Sequence, residues 1–472
     1  MPRGRLLCTL GVGLPLLLIA PHAVTANEGD EHADSSDSEF DIKYERYMLD
    51  NGLEVILHRD PSAPLVAVNI WYHVGSGDEV PGKSGFAHLF EHMMFQGAKH
   101  IGEDVHFDTL REIGASSVNG TTNSDRTNYF ETVPSHEIET ALWLESDRMG
   151  YLLDLLNDKS LENQIDVVRN ERRQRYDNVP YGRERFAVAA ALYPEGHPYR
   201  YLTIGKHEDL ESASLDDVRG FFERWYVPSN ATLTLAGDFE IAEAKALVDK
   251  WFGSFPKLPV PERVVVPAPP LAADVEVEVK DPFARLERLH YVWHGPKMLG
   301  EGDLALDVAA AALGSEGWGR LTKRLVDDEK VAQSVWVYNS GSEFSGTFNI
   351  VVTLPPGETS EKREQVAKAL DEELAKLLAK GPSQAELDRH VIGVESSFIW
   401  GLEEINGRAN RLQWFNHYTG DPGYTSTYLE RLDALTTDAV KAAANEWLSQ
   451  PHALVISVPD PEGATQAGGQ DQ

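Results

Sequence analysis

The chain has 472 residues, of which 42% are hydrophobic and 25% charged, which is ordinary globular usage and excludes a disordered chain or a fibre. Its 43 Lys and Arg face 75 Asp and Glu, for a formal net charge of −32. Such a chain repels a phosphate backbone, so we expect no nucleic-acid partner and an attraction to cationic peptides or surfaces instead. The length predicts two or three domains.

The first 26 residues have the pattern of a secretory signal. A basic start precedes a Leu-rich apolar stretch at 6–20, and small residues lead up to a cleavage site near Ala26. An uncleaved anchor helix is the alternative, but the apolar stretch is shorter than the roughly 20 residues of a membrane span. We therefore expect export, to a bacterial periplasm, without stable membrane insertion. Cys8, the single cysteine, lies inside this segment, so the exported chain is expected to contain neither disulfides nor thiolate sites.

The first half of the exported chain shows alternating strand and helix patterns after a polar segment. Residues 27–42 are acidic and rich in Ser, and we expect them to be disordered. Strands are predicted at 53–57, 65–71, 118–132 and 231–237. Helices are predicted at 85–97, 137–156 and 160–175.

A proline-dense stretch, 256–273, separates this half from a second one and has the composition of a semi-rigid linker. Strands are then predicted at 289–293, 331–338, 348–354 and 453–458. Helices are predicted at 303–313, 361–379 and 382–399. The similar order of elements predicts two α+β domains, 43–255 and 274–460, followed by a flexible tail at 461–472.

The most informative motif is the pentapeptide His88-Leu89-Phe90-Glu91-His92. At about 100° per residue, its two histidines and its glutamate share one face of a helix. Two imidazoles a turn apart can hold one zinc ion and the carboxylate can reach a water on that ion, which is the inverted zinc-protease spacing. The neighbouring residues are apolar, so the helix is expected to be buried, and burying three such groups is costly without a metal or partners. Ordinary core histidines are the alternative.

A zinc site of this kind needs a third protein ligand and an open position. Glu171, on the helix predicted at 160–175, is the candidate. Spacing alone does not select it over Glu162 or Asp166, and a surface ion pair with Arg172 or Arg175 is the simpler interpretation from the residues alone.

Residues 85–95, which hold the motif, and 167–174, around Glu171, resemble the pitrilysin/insulinase family of zinc peptidases. The most similar branch is its short bacterial members and the subunits of mitochondrial processing peptidase. Weaker similarity extends to 119–122, 125–129, 230–232 and Gly314, so the resemblance covers about 40–460. It implies two tandem homologous α/β domains that form one half of a clam-shell dimer.

The resemblance also implies roles for individual residues. His88, His92 and Glu171 would bind one zinc ion per chain, and Glu91 would be the general base on a zinc-bound water. The strand around Asn119 would bind a peptide by edge pairing, although an ordinary strand-end turn explains that segment equally well.

Three positions depart from the family's pattern. Gln164 stands where many members carry a second glutamate, seven residues before the metal glutamate. Val326 and Gln333 stand where members usually carry an Arg and a Tyr that hold the substrate. Val326 cannot donate a hydrogen bond, and losing oxyanion donors typically costs about 10²–10³ in rate. We therefore expect the metal-bearing subunit of a heterodimer whose similar-sized partner supplies the Arg and Tyr, with a homodimer as the alternative.

The resulting hypothesis is a zinc metalloendopeptidase that cleaves short unstructured peptides, with cationic ones favoured by the net charge. A non-catalytic peptide-binding or scaffold subunit that retains zinc is the alternative, and an envelope chaperone is a third possibility. A structural zinc site would be expected to have four protein ligands, whereas this motif offers three and adds a base.

Overall fold

The computed structural model describes residues 41–462 except 104, 264, 265 and 267. The predicted signal, Cys8 and nearly all of the predicted disordered segment and tail lie outside the described residues. Of the predicted disordered segment, Ile42 is described, and it is buried against Ile56 and Leu412. The predicted two-domain α+β architecture is confirmed, and each half has its own sheet packed on a large hydrophobic core.

In its described residues, the first half contains six strands and eight α-helices. Its strands are β1 (Glu45–Met48), β2 (Glu54–Arg59), β3 (Leu65–Tyr72), β4 (Ser116–Thr122), β5 (Thr127–Pro134) and β6 (Ala231–Gly237). Its helices are α1 (Phe86–Met93), α2 (Val105–Glu112), α3 (Ile138–Tyr151), α4 (Asp158–Arg172), α5 (Gly182–Leu192), α6 (His207–Glu211), α7 (Leu215–Trp225) and α8 (Ile241–Phe252). A π-helical turn, Arg173–Asp177, continues α4.

The second half, as far as residue 462, contains five strands and seven α-helices. Its strands are β7 (Val275–Asp281), β8 (Arg288–Gly295), β9 (Ser334–Gly341), β10 (Gly346–Thr353) and β11 (Ala453–Pro459). Its helices are α9 (Asp303–Gly314), α10 (Arg320–Thr322), α11 (Ser360–Lys380), α12 (Gln384–Gly401), α13 (Ile405–Thr419), α14 (Thr425–Asp433) and α15 (Thr437–Trp447). A π-helical turn, Lys323–Asp328, continues α10.

The two sheets share one topology. The first has the order β1-β2-β6-β3-β5-β4 and the second β7-β11-β8-β10-β9, which is the same arrangement without a counterpart of β1. In each sheet one neighbouring pair is parallel, β2 with β6 and β7 with β11, and the other pairs are antiparallel. The chain is therefore an internal repeat in which β4 and β9 are equivalent edge strands.

The predicted strand at 118–132 is wrong in one respect, because it is a hairpin of two strands. A turn at 123–126 separates β4 from β5, and the Asn123 side-chain oxygen accepts hydrogen bonds from the main-chain N–H groups of Asp125 (2.8 Å) and Arg126 (2.9 Å). Asn and Asp favour such turns because their side chains bond to nearby backbone groups. The other predicted elements differ mainly at their boundaries: the predicted helix at 85–97 ends at Met93, and the predicted strand at 331–338 begins at Ser334. Several further elements, among them β1, β7, α5 and α13, were not predicted.

Each half contributes one helix to the sheet of the other half. Helix α13, from the second half, packs on β3 and β6, while α5, from the first half, packs on β7, β8 and β11. In the second contact the buried Glu184 carboxylate of α5 accepts a hydrogen bond from Ser457 Oγ (2.7 Å) and lies 3.0 Å from His290 Nδ1. The two halves are therefore interlocked, and β6, covered on both faces, is buried along its whole length.

Gln413 provides the central polar contact between α13 and the first sheet. It is fully buried, and its amide donates to the main-chain oxygens of Asn69 (2.9 Å) and Thr232 (2.7 Å). We predict that Gln413→Ala lowers the free energy of unfolding by about 2–4 kcal/mol, because it removes both bonds and leaves a cavity. Chemical denaturation of the full chain measures this.

The matched control is Gln450→Ala, which removes an exposed glutamine amide bonded only to the main-chain oxygen of Glu446 (3.1 Å). It should change the free energy of unfolding by less than about 0.5 kcal/mol. Equal effects of the two substitutions would contradict the stabilising role of the Gln413 contact.

Candidate metal centre

Helix α1 carries the His88–His92 motif, and a partly buried carboxylate caps its N-terminus. Glu79 accepts hydrogen bonds from the main-chain N–H groups of Gly85 (2.9 Å) and Ala87 (2.8 Å), which satisfies two donors that a helix start leaves unpaired. Burial raises the pKa of Glu79 well above its usual range, although these two bonds act in the opposite direction. The cap fixes where the motif helix begins.

Two glycines allow the start of α1 to pack closely against the loop that contains Thr203 and Ile204. Gly85 has a φ of 89°, and a Cβ there would lie 2.9 Å from the Cα of Gly205. Gly205 itself has a φ of 72°. A side chain at either position would push the loop with Thr203 and Ile204 away from α1.

Three ligating side chains from α1 and α4 converge at one point. His88 Nε2 lies 3.7 Å and His92 Nε2 lies 3.3 Å from Glu171 Oε2, and one ligand atom of each residue lies within 4.8 Å of the other two. In a tetrahedral zinc site with bonds of about 2.0–2.1 Å, neighbouring ligand atoms are about 3.3–3.4 Å apart. Among the described residues, this is the one cluster of three His, Cys, Asp or Glu side chains with that proximity.

The donor set suits a divalent zinc ion electrostatically as well. Burial lowers the pKa of His88 to about 4, and His92 adds to the effect while Glu171 opposes it, so the His88 imidazole is neutral at pH 7. Burial alone would raise the pKa of Glu171, but its hydrogen bond with His92 and its electrostatic interactions with His88 and Arg175 hold that pKa below its usual value. A neutral imidazole and an ionised carboxylate are the forms that bind metal.

The structure also separates Glu171 from the other acidic residues that spacing left open. Glu162 and Asp166 lie on the exposed side of α4, where Asp166 is 3.5 Å from Arg169. Gln164, two helical turns before Glu171, is buried in the same helix. Arg175 lies 2.7 Å from Glu171 Oε1, so the ion pair considered as the simpler interpretation exists beside the ligand cluster.

Glu91 stands beside the cluster, and β4 holds it in place. Its Oε2 accepts a hydrogen bond from Thr122 Oγ1 (2.6 Å). Gly120, the next residue on the same face of β4, leaves room for the Glu91 side chain, since a Cβ there would lie 3.2 Å from Glu91 Cγ. Burial raises the pKa of Glu91, and the Thr122 bond opposes this. Thr122 had no role in the sequence interpretation, although strand alternation places it on the face of Gly120.

A cavity of about 360 Å³ opens onto these groups. Its lining residues are His88, Glu91, His92, Asn119, Gly120, Thr121, Thr122, Glu171, Arg175, Tyr176, Thr203 and Ile204. Asn119 is exposed at the wall of this cavity, and its side-chain oxygen accepts from the N–H of Gly120 (2.9 Å). Because β4 is the edge strand of its sheet, its outer backbone groups, more than the Asn119 amide, are placed to pair with an extended peptide.

The second half carries an equivalent of α1 without its chemistry. Helix α9 also starts after a left-handed glycine, Gly302 (φ 85°). Aligning Gly302 with Gly85 puts three buried apolar residues in the places of the two histidines and the glutamate of the motif: Ala305, Val308 and Ala309.

The two clamp positions lie in this half as well. Val326 is half-buried against the second core. Gln333 is exposed, and its main-chain N–H donates to Thr353 O (2.8 Å). The structure therefore places both positions away from the ligand cluster's own sheet.

Comparison with known proteins gives consistent matches. Residues 54–193 match the family model described as Insulinase (Peptidase family M16), and residues 212–394 match the model of the Peptidase M16 inactive domain. The chain is 28% identical to the zinc protease PqqE of Helicobacter pylori, over 88% of this chain and 92% of that protein. These matches span both halves of the chain.

Solved structures also match this chain over nearly its whole length. A protease from Helicobacter pylori superposes with a TM-score of 0.82 at 26% identity, covering 89% of this chain and 100% of that one. The periplasmic protease PqqL from Escherichia coli superposes with a TM-score of 0.73 at 19% identity, covering 92% of this chain and 49% of that one. The fold of this chain thus corresponds to about half of PqqL.

We predict that Glu171→Gln weakens zinc binding at least ~100-fold, because Glu171 is the negatively charged member of the three candidate ligands and the substitution removes that charge. Competition with a chromophoric chelator measures the affinity. Glu162→Gln, the same change on the exposed side of the same helix, is the control and should bind zinc as the unmodified chain does. Equal affinities of the two variants would exclude Glu171 as a ligand.

Proposed function

The chain belongs to the pitrilysin/insulinase family, peptidase family M16, and on that premise we propose that it is a zinc-dependent endopeptidase acting on short unstructured peptides. The observation that carries the proposal is the convergence of His88, His92 and Glu171 beside Glu91 at the wall of a cavity. Three protein ligands leave an open position, as a catalytic zinc site requires.

The chemistry divides between the ion and the chain's own residues. When bound by His88, His92 and Glu171, zinc would lower the pKa of a water in its open position and polarise the scissile carbonyl. Glu91 accepts the proton of the attacking water and delivers it to the nitrogen of the leaving amine. Since Thr122 donates to Oε2 of Glu91, Oε1 is the oxygen left to carry that proton.

The exposed edge of β4 supports peptides as the substrate class. A peptide that adds to a sheet edge is bound through its main chain and must be extended, which favours unstructured segments over folded ones. The net charge of −32 favours cationic peptides at long range. Next to the ligand cluster, however, Arg175 supplies a positive charge, so any cationic preference would arise away from the scissile bond.

We predict that Glu91→Gln lowers kcat by about 10²–10⁴ while zinc content stays at the level of the unmodified chain, because the base is lost and all three ligands remain. Hydrolysis of a quenched fluorescent peptide, with a chelator control, measures this. Glu195→Gln, an exposed glutamate outside the cavity, is the matched control. If the unmodified chain binds zinc and peptide but shows no turnover, either alone or mixed with a family chain that carries the Arg and Tyr, the non-catalytic peptide-binding subunit is the correct description.

We also propose that the chain acts as the metal-bearing subunit of a pair. The match to about half of PqqL supports a unit that works with a second unit of similar size. Val326 and Gln333 supply neither a guanidinium nor a phenol, so the substrate-holding Arg and Tyr would come from a partner chain of the family. Activity that appears only on mixing with such a chain, and vanishes with chelator, is the expected result; full activity of a homodimer would overturn the heterodimer.

The double substitution V326R/Q333Y restores the two missing donors within this chain. We predict that it raises the activity of the purified chain by up to about 10²–10³, the range that oxyanion donors typically supply. V326M/Q333F, with side chains of similar size but no donors, is the control. Unchanged activity in both double variants would show that donors at these positions are not what limits the chain.

We propose that this activity lies in the periplasm of a bacterium, on the basis of the predicted N-terminal signal, and the similar fold of a periplasmic protease supports that proposal. Within residues 41–462, as far as the structure describes them, no helix is both long and apolar enough to cross a bilayer. Cell fractionation with antibody detection tests the location, and retention of the full-length chain in the cytoplasm would contradict it.

A further inference from the structure

The tip of the β4–β5 hairpin is fixed at the junction of the two halves by one carboxylate. Asp125 is 1% exposed, and its side chain accepts hydrogen bonds from Ser124 Oγ (3.1 Å) and Tyr199 OH (2.7 Å) within the first half. It also accepts from Tyr418 OH (3.1 Å), on α13, and from the main-chain N–H of Glu343 (3.0 Å), between β9 and β10. One side chain of the hairpin thus binds both halves.

Arg263, from the linker, completes this junction. Its guanidinium donates to Asp78 Oδ1 (2.8 Å), to Glu343 Oε2 (2.5 Å) and to the main-chain oxygen of Asp125 (3.3 Å). The charges are largely buried but paired, and removing one partner of such a pair is far more disruptive than the pair is stabilising. The hairpin tip therefore has a defined position relative to the first half, the linker and the second half.

A short path leads from this junction to the catalytic base. Next to Asp125, the Arg126 side chain donates to Thr121 O (2.8 Å) and Asn128 Oδ1 (3.0 Å), which ties the tip to both strands of the hairpin. Thr122 then donates to Glu91. Asp125 is three positions along the chain from Thr122, whose hydroxyl orients the base.

We propose that Asp125 is a positioning residue for the peptidase site: by fixing the hairpin tip to the second half, it holds Thr122 against Glu91 and β4 at the cavity wall. This inference rests on the proposed peptidase function. Asp125 contacts none of the three ligating side chains, and it acts through β4. Because Tyr418 and Glu343 belong to the second half, a shift between the halves moves the strand that binds the peptide.

Two substitutions in the full chain test the proposal. Asp125→Asn keeps the shape of the side chain and removes its charge, and Tyr418→Phe removes only the hydroxyl contributed by the second half. The control is Tyr181→Phe, which removes a hydroxyl that bonds Leu286 O (2.9 Å) elsewhere between the halves. The measurements are zinc content, kcat and KM for a fluorescent peptide, and amide hydrogen exchange of residues 117–122 in the metal-free chain.

We expect zinc content to be unchanged in all variants. Asp125→Asn should lower kcat/KM about 10- to 100-fold and accelerate exchange in β4 at least tenfold; Tyr418→Phe should do the same to a smaller extent, and Tyr181→Phe should do neither. Normal exchange and kinetics in Tyr418→Phe would overturn the proposal, even if Asp125→Asn fails to fold. If the unmodified chain has no peptidase activity, either alone or mixed with an Arg/Tyr-bearing partner chain, the proposed function fails while the exchange data still decide whether Asp125 fixes β4.

Discussion

The close approach of α1 and α4 is the contact on which the site depends. It brings one carboxylate oxygen within 3.3 Å and 3.7 Å of two imidazole nitrogens in a largely buried environment. Gathering three such groups without a metal is tolerable because burial keeps His88 neutral, while Arg175 lies 2.7 Å from Glu171 and His92 forms a hydrogen bond with it. The ligands are thus arranged before an ion arrives, which reduces the ordering that binding must impose.

The internal repeat explains why one half carries the chemistry. Both halves build the same sheet and start a helix after a left-handed glycine at the same place, yet α9 presents Ala305, Val308 and Ala309 where α1 presents its motif. An apolar face packs into the second core without the desolvation cost that two histidines and a glutamate would carry. The second half is therefore free to serve as support, and it contacts the β4–β5 hairpin through Tyr418 and Glu343.

Local patterns in the sequence predicted the local parts of this structure. The bounds of β6, and the common helix face of the residues in the His88 motif, follow from periodicity. The choice of Glu171 needed the family resemblance, because Glu162 and Asp166 fit the spacing equally well. The exchanged helix α13 was not predicted, since its buried face includes Gln413 and Asn416 and lacks a clear apolar stripe. Strand β7, which alternates Val and Glu from Val275, had a readable signal and was missed. The contacts of Asp125 join residues up to 293 positions apart, which no local pattern encodes.

Helices α5 and α13 each pack on the sheet of the opposite half, and this packing determines what would happen if the linker were cut. If a protease cut the chain within 256–273, each fragment would still have a helix buried in the sheet of the other, held by contacts such as Gln413 with Thr232 and Glu184 with Ser457. The two pieces would remain associated as a nicked complex that sediments as one particle until denaturant is added. The linker therefore provides the covalent connection between the halves, whereas the interlocked helices keep the halves associated.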